Sequence, residues 1–307
     1  MTDRPAAPHG VYGHPPADLA EVPEGAVQLS PLVPGSTALE ELGPGTLAGL
    51  TVLAPPGTLE RRHALALSVR ALSPGAPLTV LAPKDKGGSR LSRELAGFGC
   101  RLDESARRHH RIVRTARPDA PTGLDAAIAE GAARLVPDLG LWSQPGIFSW
   151  NRIDPGTALL IETLPPLSGR GADLGCGLGV LARAVLASAK VTGLALVDND
   201  RRAVAAARRN VEDPRVTVAW KDARAADAVP ERLDFVVMNP PFHDGGAEDR
   251  ALGQAFIRRA AAALRPGGTL WLTANTHLPY EATLSEVFRE VTPRAAAHGY
   301  KIHEARK

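Results

Sequence analysis

From about residue 50 onward, short apolar runs alternate with longer amphipathic stretches, the pattern of strands and helices wound into a largely parallel sheet. "LTVLAPP" (50–56) and "PLTVLAPK" (77–84) read as strands. Between and after them, "TLERRHALALSVRAL" reads as a helix capped by Thr58 and "SRLSRELAGFG" as a helix closed by glycine. An arginine-rich strand follows. Residues 1 to about 50 are rich in Pro and Gly and predict an irregular segment with one or two strands.

Breaker residues around one short helix place a connector at about 118–145, which divides the chain into 1–130 and 131–307. After it the alternation is regular. "GRGADLGCGLG" holds a first strand, "VTGLALVDND" a second, "RVTVAW" a third, "LDFVVMNPPF" a fourth and "GGTLWLTAN" a fifth. Helices are expected over 180–189, 201–210, about 249–264 and about 281–289, with an antiparallel closing pair around "TPRAAAHGYKIHEA".

The two strand-end loops carry the chemistry. Gly175, Gly177 and Gly179 in "DLGCGLG" sit between strand and helix, where glycine lets the backbone turn sharply and approach a ligand. A dinucleotide fold would place its last glycine where Val180 stands, so a smaller adenosine ligand fits better than NAD or FAD. Asp173 ends the strand before this loop. Asp198 falls about 20 residues on, at the end of the second strand, where an acid accepts ribose hydroxyls. Asp222, after the third strand, is a candidate acceptor for an adenine amino group and equally a turn residue. Cys176 reads as the small residue the loop tolerates.

The fourth strand ends on Asn239-Pro240-Pro241-Phe242, about 60 residues past the glycine loop. The side-chain oxygen of Asn239 and the carbonyl of Pro240 are two acceptors about one residue apart, and the prolines fix them without offering competing donors. Phe242 offers a face on which a ring can stack. His243 is a candidate proton relay or a solvated loop residue.

Charge adds a possible partner. The net charge of +3 is mild, but residues 101–118 hold arginines 101, 107, 108, 111, 114 and 117 against only Asp103 and Glu104. This segment is either a charge-protected edge strand or a phosphate-contacting stripe, with Arg107, Arg108, Arg111 and Arg114 as nucleic-acid candidates. Lys84-Asp85-Lys86-Gly87-Gly88 is either a binding loop or a turn. Two cysteines and no paired histidine spacing argue against a metal site or a disulfide framework. No run approaches the ~20 apolar residues that span a bilayer, and the first residues lack a signal-peptide pattern, so a cytoplasmic protein is expected. Nothing in the sequence sets an oligomeric state.

With "PGIFSWNRIDPGTALLIETLP" (145–165), "ANTHLPYEATLSEVF" and the ending "YKIHEA", these motifs resemble the class I S-adenosyl-L-methionine (SAM) dependent methyltransferases. The likeness is to the bacterial ribosomal RNA guanine-N2 methyltransferases of the RsmC type, which have a small-methyltransferase domain. The resemblance implies a Rossmann-like α/β catalytic domain with an antiparallel last strand, preceded by a smaller degenerate α/β domain of the same kind that is structural or binds RNA. It implies SAM as cofactor and transfer to a guanine N2 amine of ribosomal RNA, of the 16S kind, in the small subunit. Asp173, Gly175, Cys176, Gly177 and Gly179 would wrap its methionine end, with Asp198 on the ribose and Asp222 near adenine. Phe148 and Ser149 would lie beside the cofactor, though Phe148 reads equally as an aromatic staple under the sheet. Alternatives are transfer to another planar nitrogen, a protein glutamine amide or a DNA adenine, and a noncatalytic RNA-binding assembly factor.

Overall fold

The computed structural model describes residues 7–241, 243–244, 247–248 and 250–307, with 243–250 described by backbone alone. The chain divides into two compact units, Met1–Ala132 and Ala133–Lys307.

The first unit contains β1 (His9–Tyr12), β2 (Val27–Gln28), β3 (Gly49–Leu53), α1 (Thr58–Ala71), β4 (Pro77–Pro83), α2 (Leu91–Gly97), β5 (Asp103–Arg107), β6 (His110–Ala116) and α3 (Leu124–Glu130). Its sheet runs β2-β1-β3-β4-β6-β5, parallel as far as β4 and antiparallel at β6 and β5. Leu65 and Val69 of α1 share a core with Leu50, Val52, Leu78 and Val80 of the sheet. The Pro- and Gly-rich start thus supplies an interior strand. The arginine-rich segment, expected as one strand, is a hairpin whose two-residue turn sets Arg108 and His109 at φ 45° and 59°. Positive φ at both turn positions suits the twist of paired strands. Thr58 is the first residue of α1 and Gly57 its cap, without a side-chain bond.

The second unit contains the hairpin β7 (Arg134–Val136) and β8 (Leu141–Ser143), then α4 (Pro155–Thr163), β9 (Gly169–Leu174), α5 (Val180–Leu186), β10 (Val191–Asp198), α6 (Arg201–Asn210), β11 (Val216–Trp220) and β12 (Leu233–Met238). The short β13 (His243–Asp244) and β14 (Ala247–Glu248) precede α7 (Arg250–Ala263), β15 (Leu264–Asn275), α8 (Glu281–Val287), β16 (Glu290–Ala297) and β17 (Tyr300–Arg306). The sheet order is β11-β10-β9-β12-β15-β17-β16, with β17 antiparallel to both of its neighbours. Alternate residues of β12 feed opposite layers: Phe235 and Val237 join one core, Val236 and Met238 the other. A strand covered on both faces is apolar where it is covered, as this one is from Phe235 to Met238. The chain leaves β9 toward β10 and β11, then returns to β12 on the other side of β9. That reversal opens a crevice at the carboxyl ends of β9 and β12, where ligands bind in folds of this class. The second unit thus has the expected Rossmann-like α/β sheet with an antiparallel last strand.

The first sheet repeats this order and these directions without a counterpart of β11: β2-β1-β3-β4-β6-β5 matches β10-β9-β12-β15-β17-β16. The strand ending in "LAPP" therefore stands at the position of β12. Ala54-Pro55-Pro56 takes the place of Asn239-Pro240-Pro241, and the acceptor side chain is gone. The buried Arg61 donates from Nη1 to the Pro56 carbonyl at 2.7 Å while its guanidinium grips Glu94 at 2.7 and 2.8 Å. At the end of β2, where β10 ends on Asp198, the Gln28 amide accepts from the Gly13 N–H at 3.0 Å and donates to the Gly13 carbonyl at 2.9 Å. This edge is closed by its own side chains. Residues 84–87 form a turn that leads into a 3-10 helix at Gly88–Arg90, with Gly87 at φ 95° against Arg61.

Candidate active site

The glycine loop joins β9 to α5, with Gly175, Gly177 and Gly179 at φ 76°, 52° and 80°. A side chain would suffer this left-handed backbone at all three positions. Their surroundings differ. A Cβ on Gly179 would lie 2.6 Å from Val211, so that glycine serves helix packing, whereas one on Gly177 would meet nothing within 4 Å. Open space over Gly177 is where a ligand can approach the backbone. Cys176 is buried, and burial pushes its thiol well up, so it is an inert packing group.

Two carboxylates flank the loop. Asp198 accepts from the Gly177 N–H at 2.9 Å and from the Asp200 N–H at 2.8 Å, which ties the end of β10 to the loop. Burial, with the Asp200 charge adding, raises its carboxyl to about 6 against the pull of those N–H donors. Asp173 is fully buried, and neither of its oxygens has a hydrogen-bond partner among the described residues. Burial first and the Asp198 charge second push it up to about 8. Such an orphaned carboxylate is costly unless a donor or cation meets it. An ammonium group in this crevice would do so, which fits the amino-acid end of SAM. Asp222 closes a turn onto the Arg224 N–H at 2.9 Å and holds the Arg224 guanidinium at 2.6 Å, which lowers its carboxyl.

Ile147 is buried in a small cluster with Leu178 of the glycine loop and with Ala203 and Ala206 of α6. That anchor brings the next residues, Phe148 and Ser149, beside the loop. Phe148 is 59% exposed, so it is no staple under the sheet, and Ser149 turns the chain at φ 53°.

At the neighbouring edge, Asn239 leaves β12 with both amide hydrogens engaged. Its Nδ2 donates to Asp154 Oδ2 at 3.0 Å and to Thr157 Oγ1 at 2.9 Å. A carboxylate accepts, so it fixes which end of the amide faces it, and Oδ1 is left without a partner among the described residues. Asp154 is itself held three ways. Buried, it accepts from the Thr157 N–H at 2.9 Å as the cap of α4, from the Tyr300 hydroxyl at 3.1 Å, and from Asn239 itself. Gly156 makes room: a Cβ there would stand 2.4 Å from the Tyr300 ring. Sequence reading missed Asp154, Thr157 and Tyr300; the sole local signal was the Asp-Pro-x-Thr helix start. Pro240 is buried beside Asn239, and Phe242 lies outside the described residues, as does the side chain of His243.

The predicted arginines lie in the first unit. Arg108 pairs with Asp18 at 2.7 Å and Arg111 with Glu104 at 3.2 Å, while Arg107 donates to the Asp18 carbonyl at 3.0 Å and Arg114 to Ser105 Oγ at 3.4 Å. Among the described residues, no His, Cys, Asp and Glu cluster could hold a metal ion, and no helix is long and apolar enough to cross a membrane.

The methyltransferase small-domain family model matches residues 138–304. The ribosomal RNA small subunit methyltransferase C of Pseudomonas aeruginosa is 32% identical over 95% of this chain and 92% of its own. The protein of that name from Chromohalobacter salexigens is 38% identical over 77% of this chain and 72% of its own. Among solved structures, the T. thermophilus 16S rRNA guanine-N2 methyltransferase RsmC, in complex with AdoMet and guanosine, covers 100% of this chain and 90% of its own at a TM-score of 0.77 and 24% identity. With the family model spanning the second unit's sheet and a relative matching nearly the whole length, the chain belongs to the methyltransferase small-domain family and, within it, to the ribosomal RNA small subunit methyltransferase C proteins.

Proposed function

We propose that the second unit transfers a methyl group from SAM to the exocyclic N2 amine of a guanine in small-subunit ribosomal RNA, in the cytoplasm, and that the first unit helps to hold the RNA. The observation that carries the chemistry is Asn239, whose amide nitrogen is tied down twice and whose oxygen is thereby offered to a donor. The names of its relatives, ribosomal RNA small subunit methyltransferases, support the substrate class.

When bound, SAM supplies an electrophilic methyl group on a sulfonium. The chain supplies position. Asp173 would take the ammonium end, the backbone of Gly175, Cys176, Gly177 and Gly179 would wrap it, Asp198 would accept from the ribose, and Asp222 would face adenine while sharing its carboxylate with Arg224. Phe148 and Ser149 would shape the mouth. Phe242 would support the base.

The nitrogen lone pair of a guanine amine is delocalised into the ring, which makes it a poor nucleophile. Two acceptors in fixed positions, Asn239 Oδ1 and the Pro240 carbonyl, would hold its two hydrogens and turn the lone pair out of the ring toward the methyl donor. Asp154 strengthens this by accepting from the amide nitrogen, which leaves more negative charge on Oδ1. One proton leaves the nitrogen after the bond forms, and water can take it. The alignment is catalysis by positioning, which needs no strong base. The direct check is label transfer from radiolabelled SAM to purified ribosomal RNA and to small subunits. Label in RNA at a guanine N2 is the expected result, and label in protein alone would overturn the reading.

A further inference from the structure

We propose that the first unit carries a second nucleic-acid subsite, a cavity between α1, α2 and the start of α3 that takes one nucleotide of an RNA strand by its phosphate. The cavity measures about 600 Å³ and is lined by Thr58, Arg62, Arg90, Arg93, Gly97 and Phe98, among others. That volume suits a mononucleotide.

Charge selects an anion. The carboxylate in the lining, Glu94, is already held by the buried Arg61 guanidinium at 2.7 Å, so it does not neutralise the cavity. Arg62 pairs with Glu130 at 2.9 Å across an exposed contact. Among the described residues, the Arg90 guanidinium donates only to the neutral Thr58 hydroxyl, at 3.1 Å, and the Arg93 side chain has no ion pair or hydrogen bond. Two exposed guanidinium forks without a carboxylate therefore face one opening, and their geometry matches phosphate oxygens. In the arginine-rich hairpin, Asp18 and Glu104 already occupy Arg108 and Arg111, while Arg107 and Arg114 have neutral partners, the Asp18 carbonyl and Ser105 Oγ.

Shape selects more than a bare ion. The buried Phe98 contributes an apolar edge to the lining. Gly97 leaves the wall open, since a Cβ there would meet nothing within 4 Å. A cavity whose lining joins two guanidinium groups to apolar surface accommodates a sugar and base beside their phosphate. The inference rests on RNA being the substrate, and it locates where the strand is gripped away from the reacting amine.

The test uses the full chain and two variants of different kind. Arg90→Glu with Arg93→Glu reverses the charge, and Gly97→Leu fills the cavity at a helical position without changing charge. Binding of a labelled ribosomal RNA fragment is measured by anisotropy at several salt concentrations, beside SAM calorimetry and methyl-transfer kinetics. The charge variant is expected to bind RNA at least about tenfold more weakly, with a salt slope smaller by about 2. Gly97→Leu is expected to raise the KM for RNA about threefold or more, with kcat at saturating RNA and the SAM Kd within about twofold. Unchanged RNA affinity and salt slope in both variants would overturn the subsite. Titration with guanosine monophosphate separates the two sources of such a phosphate. Binding that the variants abolish while RNA affinity stays intact would assign the cavity to a free nucleotide and overturn the strand reading. Because RNA binding is read without turnover, a wild-type chain that binds RNA but never methylates it would defeat the proposed activity and leave the subsite standing.

Discussion

Asn239 and Asp154, 85 residues apart in sequence, meet through a 3.0 Å hydrogen bond from the Asn239 amide nitrogen to the Asp154 carboxylate. The bond fixes the amide's direction, so Asp154 acts as a positioning residue for the acceptor. Asp154→Asn keeps a good helix cap but loses the acceptor-only partner, which lets the Asn239 amide turn over. Steady-state kinetics should give a kcat about 10- to 100-fold lower, with the SAM Kd and the KM for RNA within about threefold. An unchanged kcat would show that the bond serves α4 alone.

Acidity at Asp173 gives a pH signature. Its carboxyl stands at about 8 in the folded protein against an ordinary 3.8, so the fold retains a proton that the unfolded chain releases. The free protein should therefore lose stability as pH rises from about 4 through about 8, because the unfolded chain is favoured by releasing this proton while the buried group keeps it until about 8. A cationic ligand favours the ionised form and expels the proton. SAM affinity should climb by up to about tenfold per pH unit between 6 and 8 and level off above, and calorimetry in buffers of different ionisation enthalpy should register proton release. Asp173→Asn should flatten the profile.

Two glycines of one loop should fail differently. Gly177→Ala costs about 1 kcal/mol in left-handed backbone strain and pushes a methyl into open ligand space, so SAM should bind at least about tenfold more weakly with little change in melting temperature. Gly179→Ala adds a contact 2.6 Å from Val211 and should lower the melting temperature more. Melting curves beside calorimetry separate the two. Equal losses in both assays would contradict the assignment.

Arg61 should be a stability residue of the first unit. Arg61→Met strands Glu94, which is 9% exposed, and should destabilise that unit by about 3–5 kcal/mol. Adding Glu94→Leu should restore much of it. SAM affinity, a property of the second unit, should stay within about twofold in both variants, as denaturation and calorimetry can check.

Most of the second unit was legible because its buried strands are apolar runs punctuated by glycine and proline, and its helices carry clear ends. The helix at Arg201–Asn210 and the strands at Val216–Trp220 and Val191–Asp198 fall where the pattern puts them. The first unit was harder. β1 and β2 are four and two residues long and sit among breakers, and any buried strand reads alike, so the place of β3 in the sheet is a matter of topology rather than composition. The hairpin turn at Arg108–His109 uses no glycine and left no mark. At the site, Asp173, Asp198 and Asn239 stand out locally, being at strand ends. Tyr300 reaches Asp154 across 146 residues, and no spacing rule connects positions that far apart. Phe148 could be read as either core or surface, since an aromatic after a buried isoleucine suits both, and only its 59% exposure decides.

The most direct measurement is methyl transfer from radiolabelled SAM into ribosomal RNA by Asn239→Ala beside the unaltered chain, with SAM binding followed by calorimetry on the same samples. Loss of about 100-fold or more in transfer, with a SAM Kd within about threefold, is the predicted result, because the acceptor is removed while the glycine loop and its carboxylates stay in place. Transfer at the unaltered rate would contradict the claim that Asn239 holds the reacting amine.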